Sequence, residues 1–378
     1  MKSKLPHIGT TIFTTMSQLA MEHQALNLAQ GFPDFSCSPR LVELVSQYMK
    51  EGFNQYAPMP GVLKLREKIS EKTFELYGAS YDPATEITVT CGATEACYTA
   101  ISTLINSGDE VIILEPSFDV YAPVIELYGG KSVYVEMDFP EFKINWDKVK
   151  QHITKATKLI IINSPHNPTG SVISDKDWEE LYTIVKDTDI FILSDEVYEH
   201  IVFDKVEHAS ILRKPEFRER TLVVSSFGKT FHTTGWRLGY CLGPAEISKE
   251  FRKIHQYNTF SASTPMQYAV AEFLSDKAQY LELSDFYQKK RDLFVELIKA
   301  SRFEIIPSKG TYFQLLSYRN ISDEKDTDFA ARLTKEHKIA SIPISVFYHK
   351  QVDNKVLRFC FAKEDKTLEK AAEILCRI

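Results

Sequence analysis

The segment SSFGKTFHTTGWRLGY, residues 225–240, places a lysine just beyond an apolar run. The residues before it, 221–224, are β-branched or apolar and predict a buried strand that ends at Ser225 and Ser226. Lys229 follows this strand end, where a charged amine is unfavourable unless it pairs with an anion or loses its proton. One way to lose the charge is to form an imine with an aldehyde cofactor.

Two further side chains of this segment indicate what such a cofactor would carry. Ser226 and Arg237 would clamp an anion beside Lys229, and an aldehyde with an anionic group points to pyridoxal phosphate. A nucleotide-binding P-loop is excluded, because the Gly-Lys-Thr match that begins at Gly228 requires a glycine five residues earlier, where the chain has Val223. A solvated loop lysine is the other interpretation, and this segment alone leaves it open.

The composition of the whole chain argues against several classes of function. Its 378 residues are 44% apolar and 25% charged, which is typical of a soluble globular protein with room for two domains. The net charge of −6, without a dense basic run, argues against nucleic acid or an anionic membrane surface as a partner. No apolar run reaches transmembrane length, and the start of the chain lacks the apolar core of a signal peptide. The six cysteines show no CxxC pair and no metal-ligand spacing, so we expect mostly buried free thiols, a cytoplasmic protein and no bound metal.

The middle of the chain alternates short, uniformly apolar strands with helices. This pattern predicts an α/β fold with a mostly parallel sheet that is covered on both faces. Ligands of such sheets bind beyond the carboxyl ends of the strands. Five residues fall at predicted strand ends: Gly92, Phe118, Asn167, Asp195 and Lys229. Unrelated loop positions would not share this placement, so we expect these residues to build one site.

In the last third of the chain, helical patterns replace the regular alternation of strands and helices. This part predicts a long amphipathic helix over 276–300, followed by a smaller α+β unit. We therefore assign residues 41–278 to a large domain, and residues 1–40 together with 279–378 to a small domain.

Arg358 lies inside an apolar strand of the small unit. A buried arginine requires an anionic partner, which is either a ligand or a structural Asp or Glu.

Six motifs, in this order along the chain, resemble those of the class I/II aminotransferases of the fold-type I pyridoxal-phosphate superfamily. They are QGFPDF, NQYAPMPG, GATEA, NSPHNPTG, SDEVYEH and SSFGKTFHTTGWRLG. The resemblance extends from Thr10 to the end of the chain. Within the family, segments such as TTIFTTM, SDEVYEHI and HQYNTFS look most like those of bacterial methionine aminotransferases. The group of kynurenine aminotransferase/glutamine transaminase K and cysteine-S-conjugate β-lyase comes next.

The resemblance implies how pyridoxal 5′-phosphate would be bound. Lys229 would hold the cofactor aldehyde and, once released, would move the proton of the substrate α-carbon. Asp195 would keep the pyridine nitrogen protonated, Tyr198 and Asn167 would bind the phenolate oxygen, and Phe118 would stack on the ring. The phosphate would be held by several segments, the last of them from the partner subunit of a homodimer: Gly92, Ala93, Thr94, Ser226, Arg237 and Tyr56.

The resemblance also implies the substrates, an amino acid and a 2-oxo acid. Arg358 would bind the α-carboxylate as a bidentate pair, helped by Asn167 and the Gly31 backbone. Phe13 and Phe260 would line the pocket for the substrate side chain.

The chain departs from the kynurenine-type pattern at two positions. Phe13 stands where that group often has tryptophan, and Ser261 stands where it often has histidine. Arg358 accounts for one carboxylate only, and the matched motifs contain no second arginine that would recognise a side-chain carboxylate. Transfer of an amino group from methionine by a ping-pong mechanism is the function we expect first. A kynurenine or glutamine aminotransferase and a cysteine-S-conjugate β-lyase are alternatives on the same scaffold. A non-catalytic cofactor-binding sensor module is disfavoured, because only about 30 residues precede QGFPDF and the chain is acidic.

Overall fold

The computed structural model describes residues 2–378 as an ordered series of helices and strands. The α-helices are α1 (Ile12–Glu22), α2 (Pro39–Lys50), α3 (Leu63–Tyr77), α4 (Ala93–Leu104), α5 (Tyr121–Leu127), α6 (Trp146–Gln151), α7 (Asp175–Val185), α8 (Phe227–Thr230), α9 (Ala245–Asn258), α10 (Thr264–Phe273), α11 (Ala278–Leu281), α12 (Leu283–Ile298), α13 (Asp326–Glu336) and α14 (Asp365–Leu375). The strands are β1 (Leu26–Asn27), β2 (Ile87–Thr90), β3 (Glu110–Glu115), β4 (Lys131–Glu136), β5 (Thr157–Asn163), β6 (Phe191–Asp195), β7 (Thr221–Ser226), β8 (Gly239–Leu242), β9 (Glu304–Ile306), β10 (Phe313–Ser317), β11 (Ile339–Ala340), β12 (Ile342–Pro343) and β13 (Val356–Cys360).

The largest sheet has seven strands in the order β2-β8-β7-β6-β5-β3-β4. The neighbours from β7 to β4 run parallel, whereas β8 is antiparallel to both β2 and β7. Successive strand residues point to opposite faces, so Ile160 and Ile192 enter one hydrophobic core while Leu159 and Leu193 enter another. Both faces of the sheet are thus covered, and the predicted mostly parallel α/β architecture is confirmed.

The edge strand β4 differs from the expectation that all strands are uniformly apolar. Val135 is buried, but Lys131 and Glu136 at the two ends of the strand are exposed. The reason is the position of β4 at the sheet edge, where charged side chains protect unpaired backbone groups from pairing with another chain.

The C-terminal part of the chain forms a second, smaller sheet. Its four antiparallel strands have the order β12-β13-β10-β9, and β13 carries Arg358. The N-terminal segment joins this part, because Leu26 of β1 pairs with Ile339 of β11 in a parallel two-stranded ladder. The domain boundaries at residues 41 and 278 stay a prediction.

The region 276–300 is not one long helix, as the sequence pattern predicts. A single turn, α11, is followed by α12, and Glu282 separates them with a ψ of −4°. This backbone angle departs from the helical value and interrupts the run of helical hydrogen bonds.

A buried ion pair lies near the carboxyl ends of β6 and β7. Lys72 of α3 donates to Glu199 at 2.7 Å, and Glu199 also accepts hydrogen bonds from Ser225 at 2.6 Å, Tyr240 at 3.0 Å and Tyr77 at 2.6 Å. Burial alone would raise the pKa of Glu199, but Lys72 and the other donors hold it well below its usual range. The carboxylate is therefore charged and fully hydrogen-bonded, and it ties α3 to the end of β7 and to the loop after β6.

The cysteines are less uniformly buried than expected. Cys97, Cys241 and Cys360 are buried, Cys37 and Cys91 are half-buried, and Cys376 is exposed near the end of α14. None of the helices between residues 2 and 378 is both long enough and apolar enough to cross a membrane.

Candidate active site

A pocket opens at the carboxyl ends of the central parallel strands, where such sheets place their ligands. Its walls come from β5, β6 and β7, from the start of α4 and from the loops that follow these strands. The lining residues are Ala93, Thr94, Cys97, Phe118, Asn163, Asn167, Asp195, Val197, Tyr198, Ser226, Lys229 and Arg237. Most of the residues predicted from strand ends and motifs are thus brought to one place.

Lys229 enters the pocket from α8, the single helical turn that follows β7 directly. Its Nζ atom donates hydrogen bonds to the Tyr312 hydroxyl at 2.9 Å and to the Gly31 carbonyl at 3.2 Å. Burial lowers the pKa of Lys229 to about 8, and the nearby cations Arg358 and Arg237 act in the same direction. An amine with this pKa is partly neutral near pH 7–8 and can act as a nucleophile and as a base.

Asp195 faces the pocket from the end of β6 and is 3% exposed. Its Oδ2 accepts hydrogen bonds from the Tyr121 hydroxyl at 2.6 Å and from the Cys97 thiol at 3.8 Å. Burial raises the pKa of this carboxyl, and between residues 2 and 378 no cation forms an ion pair with it. A ligand that brings a positive charge to Asp195 would therefore be favoured.

The opposite end of the pocket is suited to an anion. The α4 helix begins there without a side-chain cap, so its first N–H groups are free and its dipole favours negative charge. Arg237 approaches this helix end, 3.4 Å from the Thr94 hydroxyl. Gly92, with a φ of +81°, leaves room for it, because a Cβ atom there would lie 2.7 Å from the Arg237 guanidinium. Ser226 adds a hydroxyl from the end of β7.

Phe118 and Tyr198 form two further walls. Phe118 lies half-buried and packs edge-on against Tyr121, with ring centroids 5.8 Å apart. Tyr198 is 3% exposed and packs edge-on against Tyr312 at 5.2 Å. Burial raises the pKa of Tyr198, so its hydroxyl stays protonated and can donate a hydrogen bond.

Arg358 is buried near the pocket and has no carboxylate partner among residues 2–378. Its guanidinium donates to the Asn167 side-chain oxygen at 2.6 Å and to the Ala29 carbonyl at 3.2 Å, and its Nε has no hydrogen-bond partner in the described part of the chain. The structural Asp or Glu that the sequence left open as a partner is thus absent from the described chain. Aromatic rings surround the guanidinium, with Phe313 at 3.9 Å and Phe13 at 5.3 Å from ring centroid to Cζ. A buried, incompletely paired arginine of this kind is a binding site for an anion.

Tyr56 and Phe260 are predicted site residues that do not line this pocket. Tyr56 is 85% exposed and Phe260 is 40% exposed. The two rings pack edge-on against each other, with centroids 5.4 Å apart. The chain alone therefore presents them as a surface patch.

The structure also brings in residues that the sequence did not single out. Tyr312 contacts Lys229, and Tyr121 contacts Asp195. Asn163 donates to the Asp195 backbone carbonyl at 2.9 Å and accepts from the Asn167 N–H at 2.8 Å. Asn163 is the first residue of the NSPHNPTG motif, and its position at a strand end could have identified it. Tyr312 lies in the C-terminal unit, and neither a motif nor a strand-end position in the sequence pointed to it.

Comparison with known proteins identifies the family of this chain. The model of the family "Aminotransferase class I and II" matches residues 23–375. The chain belongs to this family. It is an aminotransferase, and like the other members it depends on pyridoxal phosphate. The resemblance noted from the six motifs is thereby confirmed.

Individual relatives cover nearly all of this aminotransferase. The methionine aminotransferase of Escherichia coli K12 is 50% identical over 99% of this chain and 97% of its own length. The kynurenine–oxoglutarate transaminase of Dictyostelium discoideum is 35% identical over 98% of this chain and 94% of its own. A crystal structure of an Escherichia coli protein described as having a methionine aminotransferase function superposes with a TM-score of 0.98. It is 49% identical, and the match covers 100% of this chain and 99% of that one.

The pocket of this aminotransferase fits pyridoxal phosphate on its own chemistry. Asp195 is a buried carboxylate that has no cation partner from Lys2 onward, which suits a protonated pyridine nitrogen. The uncapped start of α4, with Ser226 and Arg237, suits a phosphate. Lys229 lines the same pocket with an amine of lowered pKa, which suits an aldehyde.

Proposed function

We propose that this aminotransferase moves the amino group of methionine, or of a similar apolar or aromatic amino acid, to a 2-oxo acid by a ping-pong mechanism. The observation that carries the proposal is Arg358, a buried guanidinium without a carboxylate partner in the described chain, set among aromatic rings. Such a site binds one carboxylate and offers an apolar, polarisable surface to the rest of the amino acid.

The chain's own residues have the following proposed roles. When bound, the cofactor takes up the electron pair that remains when a bond to the substrate α-carbon breaks. Lys229 holds the cofactor and, once free, accepts the α-proton at Nζ and returns it. Asp195 and Tyr198 hold the cofactor's pyridine nitrogen and phenolate oxygen, and Phe118 covers its ring. The phosphate is held by Gly92, Ala93, Thr94, Ser226 and Arg237. Asn167 binds the phenolate oxygen and orients Arg358.

The side-chain wall favours a thioether. Phe13 and Phe347 pack against each other with centroids 5.9 Å apart, and both rings lie against the Arg358 guanidinium. Sulfur–aromatic contacts contribute roughly 0.3–1.5 kcal/mol, and ring pairs add on the order of 1 kcal/mol beyond area burial. Aspartate would bring a second carboxylate to these rings without a cation, at a cost of several kcal/mol.

The donor preference can be measured directly. We expect methionine to have the highest or nearly the highest kcat/KM, with phenylalanine, tyrosine, kynurenine and glutamine behind it and aspartate last. The measurement is kcat/KM across this panel with one fixed 2-oxo acid as acceptor. The control is the same panel with Arg358→Lys, which should lose activity toward all donors because the bidentate carboxylate pair is gone. A higher kcat/KM with aspartate than with methionine would contradict the proposed pocket.

The alternatives from the sequence give different results in the same assays. A higher kcat/KM with kynurenine or glutamine than with methionine would favour an aminotransferase of that type. The Dictyostelium relative is named for the kynurenine activity. Pyruvate release from a cysteine S-conjugate, without any 2-oxo acid, would favour a β-lyase. The free cysteine thiols are in keeping with a cytoplasmic location, which remains a prediction.

The exposed pair Tyr56 and Phe260 supports a homodimer with shared active sites. Its two exposed rings pack edge-on and form a contiguous aromatic patch, and patches of this kind mark protein–protein contact sites. We infer that the Tyr56 hydroxyl reaches the phosphate of the partner subunit's cofactor, and that Phe260 reaches the partner's substrate pocket.

Mixing two inactive variants tests this arrangement. Tyr56→Ala and Lys229→Ala should each have low activity, but unfolded and refolded together they should recover about a quarter of the wild-type activity. Random pairing makes half of the dimers mixed, and each mixed dimer has one intact site of two. The control is Tyr257→Ala, because Tyr257 is similarly exposed at 87% and has no proposed role. No recovery on mixing would show that Tyr56 acts within its own chain or not at all.

A further inference from the structure

One nitrogen and two oxygen atoms from distant parts of the chain form a closed triangle beside the pocket. Lys229 Nζ lies 2.9 Å from the Tyr312 hydroxyl and 3.2 Å from the Gly31 carbonyl oxygen. The Tyr312 hydroxyl in turn donates to the Gly31 carbonyl at 2.6 Å. Because the proton of that hydroxyl is already engaged, Tyr312 can only accept from Lys229.

Both partners of Lys229 are therefore hydrogen-bond acceptors. Tyr312 is fully buried, and its ring is fixed by edge-on packing against Tyr198 and Phe313. Burial raises the pKa of the Tyr312 hydroxyl well above its usual value, so it stays neutral. Gly31 packs closely against the Phe313 ring, because a Cβ atom there would lie 2.9 Å from that ring. The site offers two acceptors to N–H groups, which suits an ammonium better than a neutral amine.

We propose that Tyr312 is a further residue of the transamination reaction, whose hydroxyl, with the Gly31 carbonyl, forms the acceptor site in which Lys229 carries the substrate proton. This proposal rests on the proposed function. The amine of Lys229 takes the proton that leaves the substrate α-carbon and becomes an ammonium, with two of its three N–H groups accepted by Tyr312 and Gly31. The same nitrogen then gives a proton back to carbon, so no proton is gained or lost overall. Without the hydroxyl, the ammonium would lose one acceptor in a buried place where water does not replace it.

The chain contains a matched control for this role. Tyr287 is also fully buried and its ring lies 5.6 Å from that of Tyr312, but its hydroxyl has no hydrogen-bond partner among residues 2–378. Tyr312→Phe and Tyr287→Phe therefore remove the same atom from neighbouring rings. Only the first removal takes a hydrogen bond from Lys229.

The first measurement is proton exchange in the holoenzyme. With saturating methionine in D₂O, the rate at which deuterium replaces the α-hydrogen is followed by ¹H NMR. In Tyr312→Phe it should fall about ten- to hundredfold, which is the range that a hydrogen bond to a charged group contributes, while KM stays unchanged. Tyr287→Phe should exchange at the wild-type rate.

The second measurement reports the charge of Lys229 without turnover. In the full-length protein stripped of cofactor, the rate of Lys229 trinitrophenylation is measured against pH and assigned by peptide mapping. The wild-type midpoint should lie at about 8. Acceptors favour the charged form, so Tyr312→Phe should move the midpoint down and Tyr287→Phe should leave it in place. Neither variant substitutes any of the other titratable or charged groups that face Lys229: Asp195, Tyr198, Arg237, Arg358 and Cys360.

A third variant keeps the test valid if Tyr312→Phe does not fold. Fluorotyrosine at position 312 preserves the shape of the ring but weakens the hydroxyl as an acceptor, so the midpoint should again fall. Wild-type exchange and an unmoved midpoint in the Tyr312 variants, or an equal loss in Tyr287→Phe, would overturn the role of Tyr312 alone. Failure of the wild-type protein to transaminate any donor would instead overturn the proposed function.

Discussion

Replacement of Lys229 by alanine should abolish transamination and leave the fold intact. The expected loss in kcat is at least about 10⁴-fold, because the variant loses both the group that holds the cofactor and the base that moves the proton. The fold should tolerate the change, since within residues 2–378 the Lys229 Nζ makes hydrogen bonds to the Gly31 carbonyl and the Tyr312 hydroxyl only. The measurements are kcat with methionine and the thermal unfolding midpoint.

The matched control for this variant is Lys158→Ala. Lys158 lies near the start of β5, at the opposite end of the sheet from the pocket, where its Nζ packs over the Phe191 ring. It should retain wild-type activity. Borohydride reduction of the wild-type holoenzyme, followed by peptide mapping, should place the pyridoxyl group on Lys229. A label on any other lysine would show that the strand-end assignment is wrong.

Replacement of Asp195 by asparagine should have the second-largest effect. A neutral amide cannot keep the pyridine nitrogen of the cofactor protonated, so we expect kcat to fall about 10²–10³-fold. Asparagine has nearly the same shape as aspartate and can still accept the hydrogen bonds from Tyr121 and Cys97. The variant should therefore fold and bind pyridoxal phosphate, which calorimetric titration of the cofactor-free protein would measure.

Asp177→Asn is a suitable control for the Asp195 variant. Asp177 is also a carboxylate that accepts hydrogen bonds, but it caps the start of α7. The variant is expected to keep normal kcat and cofactor affinity. Near-normal turnover in Asp195→Asn would rule out the proposed role of the carboxylate, whereas loss of cofactor binding would make Asp195 a structural residue of the pocket.

The sequence could predict the part of the site that follows from strand order. Lys229 and Asp195 each follow an apolar run, and parallel strands bring their carboxyl ends to one edge, so the pattern of apolar runs is enough to predict that they converge. Tyr312 could not be found in this way. It precedes a strand of a different sheet and reaches Lys229 through a contact between residues that are 83 positions apart in the chain.

The charged ends of the edge strand and the break in the predicted long helix escaped prediction for a related reason. β4 has about as many apolar residues as a central strand. Its own sequence therefore does not indicate that it lies at the sheet edge. The break at Glu282 is a backbone angle within a sequence of good helix formers. Sequence periodicity indicates which face of an element is buried, but edge position and backbone breaks depend on neighbours that are distant in the chain.

The pairing of β1 with β11 sets the order in which the enzyme becomes complete during synthesis on the ribosome. Leu26 and its partner Ile339 are more than 300 residues apart, so Leu26 is made long before its partner. The seven-stranded sheet has all its strands once Leu242 has emerged, so it can form while the chain is still growing. The N-terminal segment, which supplies the Gly31 carbonyl, cannot pair through β1 until Ile339 and Ala340 have been made. The Gly31 acceptor of Lys229 is therefore anchored only after the central sheet can form, and a nascent chain that stops before β11 would lack this anchor.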